Sequence, residues 1–298
     1  MIEPKTILIS GATGLVGRPL CEALQARGHT VRRLSRGAGG EFQWNVSAGQ
    51  LDPASMQGVD VVIHLAGESV AQRWTAAAKA RILRSRVDGT KLLVDAILQQ
   101  AKRPALIAAS GISYYGITRA DEVDESAVTG DGFLAEVTRQ WEGAAQPLID
   151  AGGRVAFLRT GIVLSREGGA LAKMLPPFKL GLGGRIGNGQ QLMSWISLPD
   201  LVSAYVYAVE NEKVAGPLNA VAPSPVSNLE FTKTLGCVVG RPTIFPLPRV
   251  VVKALFGEMG TETVLSDLGV LPQRLEELGF EWQTPTLAAT LRQTIYPD

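Results

Sequence analysis

Short apolar runs alternate with longer helical stretches along the N-terminal half of the chain. Positions 6–10 are apolar and β-branched, and they run into a glycine-rich turn and then a helical pattern to about residue 27. Gly28 suits the C-cap of that helix, because glycine takes the left-handed conformation without steric cost. Positions 30–34 read as a second strand. Residues 59–65, with Val61, Val62 and Ile63 in succession, have the continuous apolar character of a strand buried on both faces of a parallel sheet. An Ala-, Leu- and Arg-rich stretch over 74–100 predicts a long helix, 105–109 a strand, 131–151 a helix and 155–158 a strand. Strands separated by helices are βαβ units, so the expected fold is α/β, a Rossmann-type doubly wound parallel sheet with right-handed crossovers.

The texture changes after about residue 168. The run 180–189 is glycine-dense and must be loop, and 200–210 reads as one more helix in which Asp200 is placed to cap the first turn. From Pro246 the chain carries a helical stretch near 250–256 and a leucine-rich tail over 265–278. The expected organisation is a nucleotide-binding unit over 1–240, with substrate-region insertions from about 168, and a small helical domain over 241–298.

Composition narrows the functional classes. The chain has 298 residues with 29 Lys and Arg against 28 Asp and Glu, a net charge of +1. That balance argues against a protein built to coat nucleic acid. Cys21 and Cys237, with His29 and His64, are too few for a disulfide framework or a metal centre. No run approaches the roughly 18 apolar residues of a membrane helix. The default reading is a soluble protein of a reducing, cytoplasmic compartment, acting on a small molecule, with assembly as a homodimer left open.

The strongest chemical signal is the turn of Gly11, Ala12, Thr13, Gly14, Leu15, Val16 and Gly17 between the first strand and the first helix. Gly11 permits the tight turn, Gly14 lets the backbone approach a diphosphate, and Gly17 allows close helix-on-strand packing. Free N–H groups and the helix dipole then hold the phosphates. An NAD site usually carries an acid about 20 residues further on, for the ribose 2′-hydroxyl. Here the second strand ends Arg32-Arg33-Leu34-Ser35-Arg36, with no acid until Glu41. Arg36 and Ser35 instead suit a 2′-phosphate, so NADP (as NADPH) is the expected cofactor. Arg32 and Arg33 alternate in direction along the strand, so at most one of them faces the cofactor.

His64-Leu65-Ala66-Gly67-Glu68 closes an apolar strand. Ligands of open α/β sheets bind beyond the carboxyl ends of strands, so this small-residue turn is placed to pass the dinucleotide. His64 itself reads as a satisfied buried histidine, because nothing in the sequence pairs it with a nucleophile. Glu68 is either a cofactor contact or a carboxylate at a helix N-terminus.

These segments, together with Arg73-Trp74, Ser85-Arg86-Val87, Tyr114-Tyr115-Gly116, positions 132–141, Leu158-Arg159-Thr160-Gly161, positions 176–189 and the stretch from Trp195 to Asp200, resemble the extended short-chain dehydrogenase/reductase superfamily. The chain is most similar to its atypical, sugar-nucleotide epimerase-like branch, whose small C-terminal domain of unknown function is matched by Pro246-Leu247-Pro248 and Leu271-Pro272-Gln273-Arg274. The resemblance covers almost the whole chain. It implies an NAD(P) cofactor and a Ser, Tyr, Lys catalytic set, with the last two spaced Tyr-x-x-x-Lys. Ser110 matches the serine. The tyrosine position falls on Phe133 or Leu134 and the lysine position on Val137 or Thr138, so neither a phenol nor an ammonium is supplied. The branch generally lacks that pair and carries an arginine where asparagine is usual, for which Arg86 is the candidate.

A proton donor is what acid–base catalysis requires, and Tyr114 and Tyr115, just past Ser110, are the residues that could replace the missing phenol. The favoured reading of the pair is structural, with one ring packing and the other bonding backbone. Leu134, Arg86 and Arg159 are candidate cofactor neighbours, Arg159 alternatively a structural ion pair. Arg185 and Trp195, in the mouth formed by 178–189 and beyond, are the candidate substrate contacts. The sequence thus leads to an NADP-dependent oxidoreductase or epimerase-like protein acting on a small carbonyl or nucleotide-sugar-like compound, with a non-catalytic NADP(H)-binding or redox-sensing protein as the alternative.

Overall fold

The computed structural model describes residues 3–37 and 41–297. In chain order it runs β1 (Thr6–Ser10), α1 (Gly17–Ala26), β2 (Thr30–Ser35), β3 (Phe42–Asn45), β4 (Gln50–Leu51), β5 (Val61–His64), α2 (Ala76–Leu98), β6 (Ala105–Gly111), α3 (Phe133–Gly143), α4 (Gln146–Asp150) and β7 (Val155–Thr160). It continues with β8 (Ile162–Leu164), α5 (Gly169–Lys179), β9 (Leu192–Met193), β10 (Trp195–Ser197), α6 (Leu198–Glu210), β11 (Gly216–Ala220), β12 (Val226–Ser227), α7 (Asn228–Val239), α8 (Arg249–Glu262), α9 (Gln273–Glu277) and α10 (Leu287–Ile295).

The main sheet has eight strands in the order β11-β7-β6-β5-β1-β2-β3-β4, all parallel except the β3–β4 pair. Strand side chains alternate faces, and both faces here are apolar. Ile7, Ile9, Val61, Ile63, Ile107, Ala156 and Leu158 pack under Leu20 and Leu24 of α1 and Leu201, Tyr205 and Val209 of α6. Leu8, Val62, Leu106, Ala108, Val155 and Phe157 face the other way, against Leu93, Val94 and Ile97 of α2 and Leu148 of α4. Each such fully buried aliphatic side chain contributes about 1.5–3 kcal/mol, so register is strongly fixed.

The helical pattern over 131–151 divides into α3 and α4, with Pro147 in the first turn of the second helix. Proline is tolerated there because the first N–H groups of a helix lack intrahelical acceptors. The C-terminal stretch shares its cores with earlier segments. Leu287, Leu291 and Ile295 of α10 pack with Leu164, Leu171, Phe231 and Leu235, whereas Leu275 and Phe280 join the face of the main sheet beneath α6. Asp200 ties the two parts together: its carboxylate accepts the backbone N–H of Gln283 at 2.6 Å and the hydroxyl of Thr284 at 3.0 Å. The expected cap role belongs to Ser197 instead, whose hydroxyl accepts the N–H of Asp200 at 2.9 Å. Among the described residues no helix is long and apolar enough to cross a membrane.

Candidate active site

The carboxyl ends of β1, β5 and β6 lie side by side, and a groove of about 450 Å³ opens along them. Gly11, Gly14, Leu15, Val16 and Gly17 form one end, Leu65 and Arg86 the middle, and Ser110, Leu134 and Thr138 the other end. The glycines are demanded by close approach. Gly11 has φ +76°, and a Cβ there would lie 2.9 Å from the backbone N of Ala66. A Cβ on Gly17 would lie 2.1 Å from the Gly11 carbonyl oxygen. Gly14 donates its N–H to that same oxygen at 3.0 Å, closing the turn. No side chain caps the N-terminus of α1, where Val16 occupies the cap position. The turn therefore presents backbone and the positive end of a helix to the groove, the arrangement that fits a dinucleotide diphosphate. Thr13, Ala66, Gly67 and Glu68 flank the groove without forming its wall.

At the end of β2, Arg32 is already engaged: it donates to the carbonyl of Gln57 at 2.5 Å and lies over the Phe42 ring. Arg36 is exposed, and the Ser35 hydroxyl accepts the N–H of Gly37 at 3.2 Å. No carboxylate stands between Thr30 and Arg36.

Arg86 enters the groove from α2. One guanidinium nitrogen donates to the carbonyls of Glu68, at 2.9 Å, and Ile82, at 3.1 Å, and the guanidinium lies over the Trp141 ring at 5.1 Å. Burial lowers its pKa to about 10. His64 sits behind it, fully buried, with Nδ1 2.6 Å from the Ser10 hydroxyl, and its Nε2 has no partner. Burial, and then Arg86, push the His64 pKa down to about 4, so the ring is neutral near pH 7.

Ser110 leads into a buried polar chain. Its hydroxyl donates to Glu142 Oε1 at 2.7 Å. Arg159 grips that carboxylate at both oxygens, with Nε at 2.8 Å and Nη2 at 2.7 Å, a bidentate ion pair in the interior. Its remaining nitrogen donates to the Tyr115 hydroxyl at 3.0 Å, which donates in turn to Asn219 Oδ1 at 2.7 Å. Burial alone would lower the Arg159 pKa, but Glu142 outweighs it and holds the guanidinium above its ordinary value.

This chain corrects the expectation for Tyr115. The side chain is wholly buried, its proton is given to Asn219, and burial pushes its pKa up to about 12. It is a structural phenol, sealed from any substrate. Tyr114 does not line the groove either; its ring lies 3.4 Å from the Arg159 guanidinium carbon and covers it. Arg159 is the structural ion pair rather than a groove residue.

The missing Tyr-x-x-x-Lys pair is placed by α3. Leu134 and Thr138 line the groove beside Ser110, whereas Phe133 turns away to pack edge-on against Trp74. Thr138 gives its hydroxyl proton to the backbone, 2.9 Å from the carbonyls of Leu134 and Ala135.

The expected substrate contacts separate. Arg185 is exposed and donates to its own loop at the Asn188 carbonyl, 3.2 Å away; it does not line the groove. Trp195 is 1% exposed, packed among Leu164, Leu171, Phe178 and Phe231. A tryptophan in a short strand beneath a helix is core, and it does not line this groove. Sequence reasoning missed Glu142, Asn219, Trp141 and Ser113. Glu142 directly follows Trp141 at the end of α3, so no local motif marked it, and its partner Ser110 is 32 residues away.

A parallel sheet with a glycine turn and an uncapped helix facing a groove, and a serine at the far end, defines a short-chain dehydrogenase/reductase-like nucleotide-binding protein. The chain belongs to the NAD dependent epimerase/dehydratase family, whose model matches residues 7–220, and residues 247–294 match a domain of unknown function, DUF1731. It is 42% identical to the epimerase family protein Mb2239 of Mycobacterium bovis, over 96% of each chain. It is 37% identical to the human epimerase family protein SDR39U1, over 97% of this chain and 99% of that one. Among solved structures it is similar to human SDR39U1 (isoform 2) with NADPH, at TM-score 0.91 and 36% identity, covering 98% of this chain and all of that one. The nucleoside-diphosphate sugar epimerase from Corynebacterium glutamicum has TM-score 0.81 and 36% identity, and this chain covers 58% of it. A UDP-N-acetylglucosamine 4-epimerase from Bacillus cereus, at 18% identity and TM-score 0.75, shares the fold.

Proposed function

We propose that the chain binds NADP(H) along the groove and uses it to move hydrogen to or from a small carbonyl or nucleotide-sugar-like compound held near Ser110. The single observation behind this reading is the turn at Gly11 to Gly17, packed too tightly for any side chain at position 17 and opening on an uncapped helix N-terminus. Its backbone N–H groups would hold the diphosphate. Arg36, exposed just past the end of β2, would bond the 2′-phosphate with Ser35 beside it. Arg86 and Leu134 would flank the nicotinamide half. The bound cofactor supplies hydride exchange; the protein supplies orientation and a polar contact at Ser110. The similarity to human SDR39U1, solved with NADPH, supports the choice of cofactor.

A second reading, an NADP(H)-binding or redox-sensing protein without turnover, is favoured by one observation. Leu134 and Thr138 stand where a phenol and an ammonium would act, and the Thr138 proton is committed to backbone. One experiment separates the two. The NADPH-loaded protein is mixed with a panel of carbonyl compounds and nucleotide sugars while absorbance at the nicotinamide band is followed. Oxidation by any member supports catalysis, and stable binding with no oxidation supports the second reading.

A further inference from the structure

Glu142 holds no proton to give. Arg159 donates to both of its carboxylate oxygens, at 2.8 and 2.7 Å, so Glu142 is the ionised partner of a buried pair and can only accept. The 2.7 Å contact between Ser110 Oγ and Glu142 Oε1 is therefore donated by the serine. A hydroxyl has one proton and two lone pairs. With the proton committed, Ser110 has lone pairs left for the groove that it lines, and no donor among the described residues satisfies them.

We infer that Glu142 is a positioning residue that fixes Ser110 as a hydrogen-bond acceptor, so that the groove selects a ligand carrying a hydroxyl over the same ligand carrying a carbonyl. This inference rests on the proposed function and narrows its substrate class to the alcohol form, met by oxidised cofactor. A ketone oxygen placed against Ser110 would set lone pair against lone pair in a partly desolvated groove. Thr138 adds to the same bias, since its proton also goes elsewhere, to the carbonyls of Leu134 and Ala135. Ser113 lines the groove with no hydroxyl partner among the described residues, so it can turn to serve either form and does not discriminate.

The test uses the whole protein saturated with NADP⁺, with cyclohexanol and cyclohexanone as matched probes and ligand-observed NMR to measure affinity. The wild type is expected to bind cyclohexanol about tenfold more tightly, the size of one satisfied against one unsatisfied hydrogen bond. In Glu142→Gln the amide oxygen takes the place of Oε1 and is a weaker acceptor than the carboxylate, so the serine proton is held less firmly and the preference is expected to narrow. Ser110→Ala is expected to abolish it. Retained NADP⁺ binding shows that each variant is folded. Equal binding of the two probes, or binding of neither, by the NADP⁺-loaded wild type overturns the inference. So does a preference that is undiminished in either variant, or an effect of Glu142→Gln on cofactor affinity alone, which would place the donor on the cofactor. A wild type that fails to bind NADP⁺ defeats the proposed function itself.

Discussion

Gly17 and Gly11 touch so closely that a Cβ on Gly17 would lie 2.1 Å from the Gly11 carbonyl oxygen. That contact sets helix α1 against the end of β1 and holds the first helical turn toward the groove. Gly17→Ala must push backbone apart, at a cost of about 1–3 kcal/mol from overpacking. The variant is expected to remain folded in urea titrations with a lowered midpoint, and to lose NADPH affinity by more than its loss of stability suggests. Unchanged affinity would show that the helix terminus holds no phosphate.

Arg36 is the second proposed cofactor determinant. It is exposed, whereas Arg32 is occupied by the Gln57 carbonyl and the Phe42 ring. Arg36→Ala is expected to weaken NADPH by about 10- to 100-fold, the worth of charge-assisted hydrogen bonds, and to leave NADH almost unchanged. Parallel fluorescence titrations measure both. An equal loss for the two cofactors would remove the 2′-phosphate from this position.

The pair of Arg159 and Glu142 is expected to carry stability. Its side chains are 4% and 12% exposed, so removing one partner strands a buried charge. Arg159→Met is expected to cost about 3–5 kcal/mol in denaturant unfolding. A cost near that of a surface ion pair, below about 1 kcal/mol, would contradict the buried geometry.

His64 makes stability depend on pH. Its folded pKa is about 4 and its ordinary value 6.5, because burial and then Arg86 disfavour the charged ring. Between those values the unfolded chain binds a proton that the folded chain does not, so stability falls as pH drops from 6.5 to 4. The full contribution is on the order of 3 kcal/mol, from about 1.4 kcal/mol for each pKa unit. His64→Gln is expected to flatten this part of the profile. The check is the difference in unfolding free energy between wild type and variant across that window; a constant difference would show that His64 is not buried neutral.

Much of this architecture is legible in the residues themselves. The run Val61-Val62-Ile63 marks a strand buried on both faces, and the structure places these residues alternately in the two cores. The glycine turn is equally plain, since its spacing reports a steric need. What escapes is tertiary. β11 contains Gly216 and Pro217, a poor strand signal tolerated because the strand lies at the sheet edge, where a missing N–H breaks no ladder. Glu142 gains meaning only when β6, β7 and α3 bring Ser110 and Arg159 to it. Tyr115 invites a functional reading because it lies just past Ser110, and Trp195 because it follows the glycine-dense loop, but both are core side chains.

Calorimetry on protein stripped of bound nucleotide asks whether the glycine turn holds a dinucleotide at all, and which one. Titration with NADPH and with NADH is expected to give saturable heat with NADPH and a clearly weaker response with NADH. No heat and no thermal stabilisation with either dinucleotide would contradict the account.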